Sequence, residues 1–342
     1  MAQKQTNIQI AAPGFGGLNT QDSPVGMPLS FASIANNCII DQYGRVASRQ
    51  GFQARTIGAE VAGNMDANVI ETMYEYVDRS GDRFLLLAGK DDSNVHSMWK
   101  QDSGGVLTKL TGLTATASNW SFTSLGPNAF FCQDGHSVYS YDGGTAVTPL
   151  TIQPEDVSGG LTNPNVIAAG YGRLFVADTS TDKHTVQWTE QVTASGILSG
   201  SYWGTSVNKL NIEEYWPNGQ DVITNIVVYN GRLVIFGAKS IVIYVIPDTT
   251  KGGGPGVGPD YVYLEDTIVN IGCVARDSVV DIGTDLLFLD ATGVRSLQRT
   301  VQEKSAPLGD VSYNVREDLQ SDVQNTPSPI RAVYDPNQGF YI

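Results

Sequence analysis

The chain is short of charge. Asp, Glu, Lys and Arg make up only 16% of its 342 residues, against roughly a quarter in ordinary soluble domains. Cations are the scarcer sign: 21 Lys and Arg face 35 Asp and Glu, a formal net charge of −14. This argues against a protein that grips nucleic acid through a broad basic footprint, though not against one past which nucleic acid must slide. Cysteine is scarce as well. Cys38, Cys132 and Cys273 are odd in number and far apart. That excludes a C-x-x-C zinc or redox motif, argues against a disulfide framework, and leaves buried thiols in a reducing compartment as the expectation. Long apolar runs are missing. The most apolar stretch, Ile223–Ile246, is broken by Asn230, Gly231, Arg232 and Lys239 and is no membrane span. Met1–Thr6 holds no apolar leader core, so no signal peptide is expected.

What is present is apolar and turn-rich. Hydrophobic residues reach 41% and glycine numbers 37, a composition foreign to helical bundles, coiled coils and disordered acidic tails. The length exceeds one ordinary compact domain unless the fold is a closed all-β ring or barrel. A pattern recurs: an apolar or alternating run, a Gly or Asn turn, a second run, a loop, a third run. Its turns fall at Ser80-Gly81, Gly126-Pro127, Tyr171-Gly172, Asn230-Gly231, Gly283 and Pro336-Asn337, spaced roughly 45–59 residues apart. Units of about 40–50 residues with three or four short strands are what β-propeller blades look like in sequence. Dense runs such as Phe84–Leu87 and Leu286–Leu289 suit strands covered on both faces, and Ser137–Tyr141 suits a half-buried outer strand. The expectation is an all-β chain with a β-propeller-like body of about five to six blades. The longer intervals carry insertions, Gly196–Gln220 and Lys251–Asp260.

Two regions depart from the repeat. Residues 1–60 read as an N-terminal arm or docking region, and 61–342 as the propeller body. Within the body, Val311, Val315, Leu319 and Val323 at spacing four predict one short amphipathic helix, an insertion at about 309–325. The final residues, Phe340–Ile342, read as a strand. This implies either that Asn7–Ile10 pairs with the last unit or that the sequence belongs to a longer protein.

No catalytic constellation emerges. His96, His136 and His184 invite a metal reading, but they recur in register at the start of the third run of each unit, which a repeat explains better. Tyr141-Asp142-Gly143-Gly144 resembles part of an Asp-box hairpin, and a tight Asp-Gly turn accounts for it. Lys251–Gly258 is Gly-rich without a phosphate-cradle motif. The pairs Asp91-Asp92, Glu155-Asp156 and Glu213-Glu214 are sequence neighbours, which on a strand point to opposite faces rather than into one cleft. No G-x-S-x-G or Cys/His signature is present. No catalytic residue, metal or cofactor is therefore expected.

The opening segment carries a further pattern: Gly16-Gly17-Leu18-Asn19, then Asn37, Gly44, Arg49 and Gly51. Two later stretches accompany it, Gly231-Arg232-Leu233 with Phe236, Gly237 and Ser240, and Gly272-Cys273 with Val274 and Ala275. Together these resemble the tail hub or nozzle proteins of short-tailed bacteriophages, the family that includes packaged-DNA stabilisation proteins. The resemblance implies a non-enzymatic virion protein of the tail, assembled in the host cytoplasm. It implies a homo-oligomer, commonly a six-fold ring, that forms the DNA conduit, retains the genome and takes part in its ejection. It further implies a tail adaptor and tail fibre or spike proteins as partners, and duplex DNA that traverses the lumen without specific binding. An acidic, cation-poor subunit suits such a lumen. Tyr202, Trp203, Tyr215 and Trp216, in the first insertion, are candidate interface anchors or, equally, a cover for the blade beneath. The alternative function is a glycan-binding or glycan-cleaving β-propeller that contacts a receptor.

Overall fold

The structure, a computed structural model, describes residues 15–40, 43–49, 67–150, 163–189, 208–246, 262–303, 311–325, 330–337 and 339–342. The arm holds β1 (Gly17–Leu18), β2 (Phe31–Ala32), β3 (Cys38–Ile40) and β4 (Val46–Ser48). β1 and β2 pair in parallel, and β3 and β4 form an antiparallel hairpin.

Five sheets follow in chain order, each an antiparallel meander. The first comprises β5 (Ala67–Val77), β6 (Arg83–Asp91), β7 (His96–Gln101) and β8 (Leu107–Lys109). The second comprises β9 (Ser121–Leu125), β10 (Asn128–Cys132), β11 (Tyr139–Tyr141) and β12 (Thr148–Pro149). The third comprises β13 (Val166–Gly170), β14 (Arg173–Ala177), β15 (Thr185–Trp188) and β16 (Lys209–Asn211). The fourth comprises β17 (Ile223–Tyr229), β18 (Arg232–Gly237), β19 (Ser240–Val245) and β20 (Tyr263–Val269). The fifth is three-stranded: β21 (Val280–Asp281), β22 (Leu286–Asp290) and β23 (Gly293–Ser296).

The sequence of the second strands explains why these sheets stack. In β10, Ala129 and Phe131 face the first sheet while Phe130 and Cys132 face the third. In β14, Leu174 and Val176 face the second sheet while Phe175 and Ala177 face the fourth. In β18, Leu233 and Ile235 face the third sheet while Val234 and Phe236 face the fifth. Successive side chains of a strand point to opposite faces, so a continuous apolar run must be covered on both sides. A separate core therefore lies between each consecutive pair of sheets. Fully burying each Leu, Ile, Val or Phe among them contributes roughly 1.5–3 kcal/mol. The result is a five-bladed β-propeller arrangement whose blades coincide with the repeat units.

A sixth unit begins after the fifth blade. β24 (Tyr334–Asp335) and β25 (Phe340–Tyr341) form a hairpin, extended by reciprocal backbone bonds between Val333 and Ile342 at 2.9 Å. Between the fifth blade and this hairpin stand two helices, α1 (Leu297–Glu303) and α2 (Arg316–Asn325).

Several details differ from the sequence reading. The helix expected to begin at Val311 begins at Arg316, preceded by a 3-10 turn at Tyr313–Val315, and the Val311 amide bonds the Val294 carbonyl at 3.0 Å. A second helix, α1, was not expected. The Ser296 hydroxyl accepts the Arg299 amide at 3.2 Å as an N-cap, and Leu297 and Val301, four apart, pack on one core. The insertion 196–220 supplies β16, the outer strand of the third blade. In the fifth unit a short 3-10 turn at Arg276–Ser278 replaces most of the expected first strand. The loop 251–258 and Asn7–Ile10 lie outside the described residues. Among the described residues, no helix is long and apolar enough to cross a membrane.

Candidate functional site

The first strands of all five blades line a central channel, with residues 331–334 of the sixth unit beside them. Its cavity measures about 1070 Å³ and is walled by residues such as Tyr74, Phe122, Ala168, Val228, Val280 and Val333. A second cavity of about 530 Å³ opens at one end, bounded by Asn119, Asn165, Lys183, Thr224 and Val323. Arg276 and Asp277 border both.

Arg276 bolts this end of the propeller. Its Nη1 donates to the carbonyls of Asn119 and Asn165, both at 3.0 Å, and its Nη2 to that of Trp120 at 2.8 Å. Nε and Nη2 donate to the Asp277 carboxylate at 2.6 and 3.1 Å. All five guanidinium N–H groups are thus committed within the fold. The Asn225 amide closes the set by donating to the Arg276 carbonyl at 2.7 Å. One side chain thereby joins the second, third and fifth blades, and its backbone joins the fourth. Burial works against the charged guanidinium, but Asp277 outweighs it and holds the Arg276 pKa above its ordinary value. The 3-10 turn places this side chain, and Ser278 secures the turn by donating to the Ala275 carbonyl at 2.6 Å.

A second polar knot joins the first two blades. Glu71 sits at an irregularity of β5, where the register shifts between Ile70 and Thr72. Its carboxylate accepts the Ser118 hydroxyl at 2.7 Å and the Trp120 indole N–H at 2.8 Å. His96 Nδ1 lies 3.6 Å from the same carboxylate. Sequence reading missed Arg276, Asp277, Glu71 and Trp120. Neither a bulge nor a contact between blades leaves a local pattern; the only available signal was that cations are rare in this chain.

The positions carrying the family resemblance are structural. The arm pattern forms one small module. Gly16 and Gly17 pack beside the Phe31 ring, and Leu18 lies in β1. The Asn19 side chain is buried and accepts the amides of Gln21 and Asp22, both at 3.0 Å. The Phe15 amide bonds Gly44, and the Arg49 amide bonds Asn37. Gly51 lies outside the described residues. In the fourth blade, Asn230 and Gly231 have φ of 46° and 77°, the two-residue hairpin turn that needs left-handed backbone. Arg232 forks onto Glu265, whose hydrogen bonds raise the Arg232 pKa while Arg232 lowers that of Glu265. Leu233, Phe236 and Ser240 are buried. A Cβ at Gly237 would lie 2.4 Å from an Asp221 carboxylate oxygen, and one at Gly272 would lie 2.4 Å from the Ala238 backbone. Cys273 anchors that crossing through its amide to the Gly237 carbonyl at 2.8 Å.

Of the candidate interface aromatics, Tyr202 and Trp203 lie outside the described residues. Trp216 covers the blade beneath it: it is buried in the core between the third and fourth blades, with its indole N–H directed at His184 Nδ1, 3.4 Å away. Tyr215 is 48% exposed. The three histidines serve separate blades, His136 meeting the Thr116 hydroxyl at 2.7 Å. No group of three or more His, Cys, Asp or Glu among the described residues is arranged to hold a metal. Asp142 accepts the Gly144 amide at 3.0 Å, a tight turn.

No family model matches the chain, and no curated protein matches it. Solved structures are similar at low identity. One is a structure of ctPRC2, at 12% identity and TM-score 0.43, covering 66% of this chain and 55% of that one. A second is virginiamycin B lyase from Staphylococcus aureus, at 12% identity and TM-score 0.38, covering 76% and 74%. A third is the extracellular domain of a hybrid two-component system from B. thetaiotaomicron, at 12% identity and TM-score 0.36, covering 68% and 32%. The chain spans about half the length of the first of these.

Proposed function

We propose that this chain is a structural virion protein, a subunit of an oligomeric ring that forms the tail nozzle or hub of a short-tailed bacteriophage. In this reading the ring encloses the path of the genome, retains it, and takes part in its ejection. The observation that carries the reading is the disposition of charge. At least seven of the few cations are paired with acids of the same chain, Arg276 and Arg295 within the fold and Arg83, Lys109, Lys183, Arg232 and Arg331 at or near its surface. The net charge of −14 is thus carried by a surface with few cations to offer phosphate. Such a surface repels duplex DNA and lets it slide. The propeller axis itself is spanned by the Arg276 bolt, so the conduit lies between subunits.

Mass measurement and imaging of the purified chain test this. A closed ring with a central opening of duplex width is expected. A stable monomer that binds a glycan in its channel would replace this reading with the receptor-binding one. Charge reversal of acids lining the ring lumen should slow DNA release while assembly persists.

A further inference from the structure

Asn-Gly occurs twice in the chain, at Asn218-Gly219 and Asn230-Gly231. In this dipeptide the glycine nitrogen can reach the asparagine side-chain carbonyl carbon, because glycine has no Cβ to block the approach. Closing that five-membered ring requires rotation about the asparagine Cα–C bond, so the surrounding backbone decides whether it happens. At Asn230 both flanks are locked. Tyr229 and Arg232 pair across the hairpin, and Arg232 Nη1 donates to the Asn230 carbonyl at 3.2 Å. Rotation there would break the end of the ladder. Asn218 stands instead in the connection between a 3-10 turn at Glu213–Tyr215 and β17. Residues 217–220 are exposed, and their sheet pairing among the described residues is an isolated bridge. Gly219 has φ of 83° and nothing within 4 Å of its Cβ position. An exposed connection outside a ladder opens more readily than a paired strand.

We propose that Asn218 is a self-modifying site, which deamidates through a succinimide and thereby loosens the fourth blade. The Gly219 nitrogen gives its proton to solvent base and attacks Cγ of Asn218. A C–N bond forms, the Cγ–Nδ2 bond breaks, and the nitrogen leaves as ammonia with a proton from solvent. Water then opens the ring at one carbonyl or the other, leaving aspartate or isoaspartate at position 218. Nothing is oxidised or reduced. The departing nitrogen is the donor that holds the Asn270 side-chain oxygen at 2.6 Å, just past the end of β20. The isoaspartyl product also lengthens the main chain by the side-chain methylene. Three residues on lies Asp221, whose carboxylate accepts the amides of Ala238 and Lys239 at 3.0 and 2.8 Å. A Cβ at Gly237 would lie 2.4 Å from that same carboxylate, so the crossing has no room to absorb the shift. The site stands whether or not the chain assembles into a ring.

The test ages the full chain at pH 8, digests samples over time and maps the replaced amide by mass spectrometry, with fragmentation that separates isoaspartate from aspartate. In the folded chain Asn218 should convert at least tenfold faster than Asn230. In urea the two rates should converge, since both dipeptides are then equally free. Equal rates in the folded chain, or a faster Asn230, would overturn the site. A difference that persists in urea would trace it to neighbouring residues and overturn the structural account. Thermal melting reads the consequence. Aged wild type should melt lower than fresh, and Asn218→Gln, whose longer side chain closes its ring far more slowly, should keep its initial melting temperature. Aged chains that carry isoaspartate at 218 and melt like fresh ones would overturn the coupling to Asp221.

Discussion

Arg276 Nη2 lies 2.8 Å from the carbonyl oxygen of Trp120, a residue 156 positions earlier in the chain. The bond ties the fifth blade to the start of the second across the axis. Removing the guanidinium strands three carbonyls and much of the Asp277 carboxylate. Breaking a buried pair from one side costs about 3–5 kcal/mol. Arg276→Ala should lose stability on that scale in urea denaturation. Arg276→Lys, which keeps the charge but not the fork, should recover only part of it.

The crossing at Gly237 and Gly272 has no room for a methyl group. At Gly272 the obstruction is backbone, from Gly237, Ala238 and Lys239 at 2.4–2.5 Å, and cannot swing aside. Gly272→Ala should destabilise by about 1–3 kcal/mol, the usual range for overpacking. Gly81→Ala is the comparison, since nothing lies within 4 Å of its Cβ position and only its φ of +87° is strained. Thermal melts of the pair separate the steric cost from the backbone cost.

Acid should loosen the first blade. Lys109 and the Val95 amide, each at 2.9 Å, with Ser97 in support, hold the Asp91 pKa at about 2, below its ordinary 3.8. A depressed carboxylate contributes stability that is fully present above its unfolded pKa and lost as pH falls through the folded one. The loss should therefore fall between about pH 4 and pH 2. Asp91→Asn should be less stable at neutral pH and show a shallower decline across that window.

Two of the three thiols should be silent. Burial pushes the Cys132 thiol up to about 12 and the Cys273 thiol up to about 11, so neither supplies thiolate near neutrality. Cys38, in the arm, is only half-buried. Titration with a disulfide reagent at pH 8 should find one reactive thiol in the native protein and three after denaturation. Three fast thiols in the native state would contradict the blade packing around Cys132.

Much of the fold was legible because it is local. The runs Phe84–Leu87 and Leu286–Leu289 announced strands with two covered faces, and Asn230-Gly231 announced its hairpin. The fifth blade was harder. Val274–Val280 reads as a strand, yet the turn at Arg276–Ser278 is held by Ser278, Asp277 and three distant carbonyls, none of them neighbours in a pattern. Trp216 could serve an interface or a core by composition alone; its place between the third and fourth blades decided for the core.

The sequence by itself determined the blade: period-two alternation, turn residues with left-handed backbone, and apolar runs that demand cover on both faces. These are short-range consequences of strand geometry and side-chain transfer from water. Tertiary structure alone decided what meets at the axis. Arg276 with Asn119, Trp120 and Asn165, and Glu71 with Ser118 and Trp120, are brought together by the stacking of whole blades around a ring. Residues so far apart in the chain share no local rule that could have paired them.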